Sequence, residues 1–517
     1  MPQDWLKDAV FYEIYPQSFF DTNGDGIGDL NGIAEKLGYI RELGCNALWI
    51  NPCFDSPFKD AGYDVRDYKK VAERYGTNED LYRLFEKAHA EGMHVFLDLV
   101  PGHTSEEHEW FKASGRASHN EYSGRYIWTD SWFKGIGGHP YIGGETERNG
   151  TYMLNFFKCQ PALNYGFLEP KEAWQQPMDS PDCLATREAV RDVMRFWLEK
   201  GCDGFRVDMA DSLVKDDDAD KTGTCKVWRD LLGSLRREFP ETAFVAEWSN
   251  PAQAIIGAGF DMDFYLDHWH NGYHTLLRDG EHSYFKKDGD GDIRRFLGDY
   301  LPKYEGSRED GYISFITGNH DTPRVSFSLD KEELKLAFAF LFTLPGVPFL
   351  YYGDEIGMRY QKELPTKEGG YTRTGSRTPM QWKPGKNLGF SDAEEGDLYL
   401  PVDDLADAPT VEAQMGEEAS LYRIVKEILR LRHEEKALWA DGEFEVLWDK
   451  DDKAFAYRRG DLVLALNPSG GERFIPLSGK ASAVGKTYGE VIFRIGDVEN
   501  EEGGIRLGSQ SFVIFRT

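Results

Sequence analysis

Short apolar runs alternate with amphipathic stretches along most of the chain. Phe11-Tyr12-Glu13-Ile14-Tyr15 has the length and composition of a buried strand, and so do residues 47–50 and 94–100. Between them, residues 30–43 and 79–91 repeat apolar positions at helical spacing. This alternation predicts a parallel sheet covered by helices. It breaks between about Thr104 and Asp182, a stretch rich in Gly, Asn, Ser, Trp and Tyr without long helical periodicity. It resumes with a helix over 187–200, a strand at 205–208, a helix over 226–238 and a strand at 243–247. Strands near 262–266, 312–316 and 347–352 bring the expected number to eight. Residues 379–407 are loop-rich, and a last helix covers 421–433. From about Leu438 the pattern changes to short alternating strands, such as Leu462-Val463-Leu464-Ala465-Leu466.

The expected architecture is α/β: a (β/α)8 barrel built from residues 1–103 and 183–437. A small domain, residues 104–182, is inserted after the third strand, and residues 438–517 form a C-terminal antiparallel β-sandwich. A chain of 517 residues has room for such a barrel and two smaller domains.

The net charge of −29 argues against nucleic acid or an anionic membrane surface as a partner, since both are negative. Six cysteines occur without a Cys-x-x-Cys pair, several of them in apolar runs, and read as small buried hydrophobes of a reducing compartment. Met1-Pro2-Gln3-Asp4-Trp5-Leu6 carries no apolar signal region, and no run approaches the roughly 18 residues of a membrane span. A cytoplasmic protein is expected.

Chemistry concentrates at the ends of the predicted strands. Asp98-Leu99-Val100-Pro101-Gly102-His103, Gly204-Phe205-Arg206-Val207-Asp208, Ala246-Glu247-Trp248 and Gly318-Asn319-His320-Asp321 occur in order. Barrel enzymes assemble their sites from the carboxyl ends of several strands. A pair of carboxylates there is what cleavage of a sugar acetal needs. Arg206 precedes Asp208 by two residues, so both side chains face the same way on a strand. A fixed cation there keeps the carboxylate ionised and oriented.

The ordered set of motifs resembles the α-amylase family of retaining glycosidases, glycoside hydrolase family 13. The nearest branch contains oligo-1,6-glucosidases, α-glucosidases and trehalose synthases. Branch signatures include His103-Thr104-Ser105-Glu106-Glu107-His108 and Arg377-Thr378-Pro379-Met380-Gln381-Trp382. The resemblance implies Asp208 as nucleophile, Glu247 as acid/base and Asp321 as the third carboxylate, which holds sugar hydroxyls. It implies that His103 and His320 bind hydroxyls and that Tyr63 stacks on the terminal sugar. Asp60 and a late arginine, taken as Arg377, would close the pocket behind that sugar and enforce exo action, while Asp98 supports the site from below.

Asp21-Thr22-Asn23-Gly24-Asp25-Gly26-Ile27-Gly28-Asp29 places oxygen donors at alternating positions, a pattern suited to Ca²⁺. It resembles the first half of an EF-hand loop, and the branch carries a metal there. The expected ligands are Asp21, Asn23, Asp25, Asp29 and the carbonyl of Ile27, with a structural role and Mg²⁺ as the alternative ion. Asp288-Gly289-Asp290-Gly291-Asp292 has no such family support and reads as a solvated loop.

The chain departs from the family at four places. Gly102 replaces the usual Asn, and Ala162 replaces the usual Asp. Met209 follows the nucleophile where the branch uses Val for α-1,6 or Ala or Thr for α-1,4 preference. Residues 165–186 are longer than the usual link, and Trp174 suggests a loop over the acceptor side. The segment after Arg324 lacks the charged run of sucrose isomerases, which argues against sucrose isomerisation. The leading expectation is an exo-acting α-glucosidase on short gluco-oligosaccharides, working through a covalent glucosyl-Asp intermediate. A glucosyltransferase or trehalose synthase would use the same intermediate. An α-amylase and an inactive transporter-heavy-chain-like relative are the weaker readings.

Overall fold

The computed structural model describes residues 2–451, 453–477, 489–501 and 503–517. Eight parallel strands make one sheet: β1 (Phe11–Ile14), β2 (Ala47–Ile50), β3 (His94–Leu99), β4 (Gly204–Val207), β5 (Ala243–Ala246), β6 (Met262–Phe264), β7 (Tyr312–Ser314) and β8 (Phe349–Tyr351). Their order is β7-β6-β5-β4-β3-β2-β1-β8. The sheet closes on itself just past β7, where Ile316 bridges Phe349 in parallel and the Phe349 N–H donates to the Phe315 carbonyl at 2.7 Å. Every residue of β1, β2, β4 and β5 is buried. This explains their unbroken apolar reading: one face lines the barrel and the other meets the helices.

Inside the barrel, aromatic rings fill one layer. Phe11 stacks on Phe349 at 4.3 Å, Phe264 meets Phe349 edge-on at 4.8 Å, and Trp49 lies 5.3 Å from Phe264. Gly204 makes room for the Phe96 ring, since a Cβ there would stand 2.5 Å from its edge. The inward residues that follow along these strands are charged: Glu13, Asp98 and Arg206. The apolar layer is a dry floor under a charged one.

The covering helices begin and end on local chemistry. α1 (Leu30–Leu43) is capped by Asp29, whose side chain accepts from the Gly32 N–H, and ends at Gly44 with φ of 110°. A Cβ at 44 would also meet Leu429 at 2.7 Å, so this glycine lets α1 approach α7 (Leu421–Glu434). α2 (Asn78–Ala90) starts with a Thr77/Asp80 capping box. α3 (Pro181–Glu199) starts earlier than its apolar periodicity suggested, because Ser180 caps it and Pro181 occupies the first turn. α4 (Thr222–Glu238), α5 (Ile293–Ser307) and α6 (Lys331–Leu341) complete the main set. Each core leucine or isoleucine that these faces bury contributes about 1.5–3 kcal/mol.

Residues 104–180 carry one short helix, Glu109–Ser114, and one antiparallel pair, Tyr141–Gly143 with Thr151–Met153. A separate small core of Ile127, Ile136, Met153, Ala162 and Phe167 holds this segment together. Trp174 packs edge-on against Phe167 at 5.6 Å and joins that core. Its ring gives structural support to the insertion.

The C-terminal region forms a five-stranded and a three-stranded antiparallel sheet. Alternate residues of the larger sheet face opposite ways, as the period of two requires. Ala456, Val463, Ala465, Val513 and Phe515 join Ile475, Ile505 and Leu507 in the sandwich interior. Tyr457, Leu464, Leu466, Phe512 and Ile514 instead join the barrel core. Among the described residues no helix is long and apolar enough to cross a membrane.

Candidate active site

Arg206 is the centre of the charged layer. It is the cross-strand partner of Asp98, and its Nη1 lies 2.8 Å from Asp98 Oδ1 and 3.0 Å from Asp208 Oδ1. Its Nη2 lies 2.9 Å from Glu247 Oε2. One guanidinium, 1% exposed, therefore holds three carboxylates from β3, β4 and β5. Burial and too few cations push Asp98 up to about 6 and both Asp208 and Glu247 up to about 7. Asp98 also accepts from Trp49 Nε1 at 3.1 Å, and its side chain is 0% exposed, so it sits beneath the site.

The backbone fixes the two upper carboxylates. The Asp208 N–H donates to the Leu99 carbonyl, and the Glu247 N–H donates to the Val207 carbonyl. Met209 adopts a left-handed conformation, φ 43° and ψ 47°, that turns its own N–H onto Glu247 Oε2 at 2.9 Å. Among the described residues, Asp208 Oδ2 and Glu247 Oε1 accept no hydrogen bond. Each acid keeps one oxygen free for chemistry.

Asp321 is held differently. Arg373 Nη1 and Arg377 Nη2 meet its Oδ1 at 2.8 and 3.1 Å, and His320 Nε2 meets its Oδ2 at 3.1 Å. Burial works upward, but the His320, Arg377 and Arg373 charges win and hold Asp321 well below the usual carboxylate range. His320 is 0% exposed between Asp321 and Glu13, whose Oε1 is 2.9 Å from Nδ1. Burial lowers the imidazole, yet the two carboxylates carry it up to about 9.

The pocket-closing pair corrects the sequence expectation. Asp60 meets Arg373 Nη2 at 3.3 Å, not Arg377, and accepts from Gln160 Nε2 at 2.7 Å. Arg377 is buried and donates to the His320 carbonyl at 2.8 Å and to Tyr15 Oη at 3.2 Å. Arg373 links Asp60 to Asp321, while Arg377 holds Asp321 from below. Both lie in the segment that the sequence marked, four residues apart, but only folding decides which one reaches Asp60.

The other expected residues are placed as follows. Tyr63 is 5% exposed, its ring 5.4 Å from His320 and its hydroxyl 3.1 Å from Asp98 Oδ2 and 2.7 Å from His320 Nε2. His103 pairs Nε2 with the Tyr63 carbonyl and Nδ1 with Asn155 Nδ2, both at 3.1 Å. Both histidines have each ring nitrogen engaged by protein. Glu13, Gln160, Asn155 and Arg373 were missed. Glu13 had a signal, a charge in the middle of an apolar strand.

The loop at 21–29 is closed by its own side chains. Asp21 accepts from the N–H groups of Asn23, Gly24 and Gly26, Asn23 Oδ1 from Asp25, and Asp25 Oδ1 from Ile27. Asp29 is occupied by Thr22 and by the α1 cap. Among the described residues no group of three or more His, Cys, Asp or Glu side chains forms a metal cluster. Asp21, Asn23, Asp25, Asp29 and the Ile27 carbonyl lie together as oxygen donors on one tight loop, with Ser391 Oγ also bonded to Asp21 Oδ2 at 2.5 Å.

A closed (β/α)8 barrel with paired carboxylates on one guanidinium at the strand ends defines a carbohydrate-cleaving enzyme of the barrel class. The chain belongs to the alpha-amylase family, whose catalytic-domain profile matches residues 13–441. It is 33% identical over 515 residues to the trehalose synthase/amylase TreS of Mycolicibacterium smegmatis, covering 89% of this chain and 81% of that protein. It is 31% identical over 534 residues to the oligo-1,6-glucosidase of Heyndrickxia coagulans, covering 90% and 92%. Among solved structures, an isomaltulose synthase mutant from Erwinia rhapontici in complex with D-glucose superposes with a TM-score of 0.81 at 26% identity, over 99% of each chain. A mutant of the trehalulose synthase MutB matches with a TM-score of 0.80 at 26% identity, over 99% of this chain and 100% of that one.

Proposed function

We propose that the chain is a retaining, exo-acting α-glucosidase that removes terminal glucose from short α-gluco-oligosaccharides. The observation that carries this reading is the bridge of Arg206 to Asp208 and Glu247, beside the Asp60–Arg373–Asp321 chain of charges. Asp208 Oδ2 attacks the anomeric carbon as its bond to the leaving oxygen breaks, and the proton on Glu247 Oε1 passes to that oxygen. Glu247, now ionised, takes a proton from water, and the water oxygen displaces Asp208 from the anomeric carbon. Two displacements give net retention. Asp321, ionised throughout, accepts sugar hydroxyls and stabilises positive charge developing on the ring. Release of glucose from maltose, isomaltose or an aryl α-glucoside, with starch untouched, tests the reading; release of long internal fragments from starch contradicts it.

The second reading, transfer of the glucosyl group to another sugar, is favoured by the likeness to a trehalose synthase/amylase. The covalent intermediate is the same, and its acceptor decides the product. New disaccharides at high sugar concentration would select this reading.

We also propose Ca²⁺ on the loop at 21–29, held by Asp21, Asn23, Asp25, Asp29 and the Ile27 carbonyl, with a structural role. The support is the run of side chains folded back on alternate backbone N–H groups. A cytoplasmic setting is part of the same proposal, supported by six cysteines that are all buried and unpaired.

A further inference from the structure

Gly102 stands where the family carries Asn, and the structure shows what fills the space. A Cβ at 102 would lie 2.7 Å from Asn155 Nδ2 and 3.4 Å from Ser212 Oγ. Asn155 comes from the inserted segment and reaches back to the barrel between the ends of β3 and β4. Its Oδ1 accepts from Lys215 Nζ at 3.0 Å, and Lys215 also donates to the Ser212 carbonyl at 2.6 Å. Its Nδ2 meets His103 Nδ1 at 3.1 Å and lies 4.0 Å from Met209 Sδ.

The chemistry of these groups fixes their orientation. An ammonium only donates, so the oxygen of the Asn155 amide must face Lys215 and its nitrogen must face His103. An amide nitrogen also only donates, so His103 Nδ1 must be the unprotonated nitrogen. The ring proton is then on Nε2, where it meets the Tyr63 carbonyl at 3.1 Å. Burial holds the imidazole neutral, lowered to about 3. The same turn carries Gln160, whose backbone carbonyl accepts from the Asn155 N–H and whose side chain donates to Asp60.

We infer that Asn155 is a positioning residue of the sugar pocket: it fixes the His103 tautomer whose Nε2–H donates to the carbonyl of Tyr63, so that the Tyr63 ring is held in place, and it fits here because residue 102 is glycine. The inference rests on the glucosidase reading, in which Tyr63, held by His103, stacks on the terminal sugar. Asn155 acts through His103 and Met209 and does not itself touch the reacting atoms.

The test compares Asn155→Asp, Asn155→Leu and Gly102→Ala with the wild-type chain on an aryl α-glucoside and on maltose. Asn155→Asp keeps an acceptor for Lys215 but can only accept from His103, which reverses the required ring proton. It is expected to raise KM about tenfold with kcat changed much less, and with melting temperature near wild type. Gly102→Ala, on a different element, is expected to give the same KM rise by displacing the Asn155 amide. Asn155→Leu should add a loss of thermal stability, because Lys215 loses an acceptor. Asn155→Asp with wild-type KM, or Gly102→Ala with unaltered kinetics, overturns the inference. A wild-type chain inactive on every α-glucoside would overturn the glucosidase reading instead.

Discussion

Arg373 lies 3.3 Å from Asp60 across more than three hundred residues of chain, and its other terminal nitrogen lies 2.8 Å from Asp321. That single side chain joins the pocket-closing acid to the sugar-binding acid. Arg373→Ala is expected to lower kcat/KM on short oligosaccharides by about 10- to 100-fold, the range for a lost hydrogen bond to a charged group. It should also loosen the preference for terminal glucose, visible as longer products from maltopentaose. Equal activity of Arg373→Ala and wild type, with Arg377→Ala alone impaired, would return the closing role to Arg377.

The pH dependence follows from the Arg206 cluster. Glu247 must donate a proton, and burial raises it to about 7, so activity should fall as pH rises through that value. Asp208 must be ionised to attack, and burial raises it to about 7 as well, so activity should fall on the acid side too. A narrow bell centred near pH 7 in kcat/KM is predicted. A flat profile from pH 5 to 9 would contradict it.

The same carboxylates oppose folding. Their folded values, about 7, lie above the unfolded ones, about 4. Their contribution to stability is therefore fully present below about pH 4 and is lost as pH rises through 7. Asp321 is held low, and its contribution has the opposite sign: present above about pH 4 and lost in stronger acid. Glu247→Gln and Asp208→Asn should melt about 1–3 °C above wild type at pH 8, with a smaller gap at pH 5. Variants that melt below wild type at pH 8 would show that the charged forms stabilise the fold.

Chelation tests the loop at 21–29. If the proposed Ca²⁺ is bound, EDTA should lower the melting temperature, added Ca²⁺ should restore it, and Asp21→Ala should remove the difference. A wild-type melt unchanged by EDTA and by millimolar Ca²⁺ would remove the ion from the account.

Local signals carried far in this chain. The bounds of α1 could be read from Asp29 and Gly44 because a cap and a left-handed stop are decided within a few residues. The eight strands were legible because burial on both faces leaves an apolar run in the sequence. The start of α3 was missed since its first turn carries the mark of a cap, Ser180-Pro181, and not of an apolar stripe. Tertiary partners were the hard part. Arg373 and Arg377 look alike in sequence, and only the turn at Tyr371–Ser376 aims one at Asp60. Trp174 suggested a loop over the acceptor side, and its ring packs, half-buried, against a small core of the segment's own. The role of Asn155 could not be read without knowing that Gly102 faces it.

The central claim is that Asp208 becomes covalently glucosylated while Arg206 holds it beside Glu247. The most direct measurement is mass spectrometry of the intact protein and its peptides after reaction with 5-fluoro-α-glucosyl fluoride. The account predicts one added fluoroglucosyl group, on the peptide containing Asp208, and none on Asp208→Asn. A label on another carboxylate, or turnover of an aryl α-glucoside by Asp208→Asn at the wild-type rate, would contradict it.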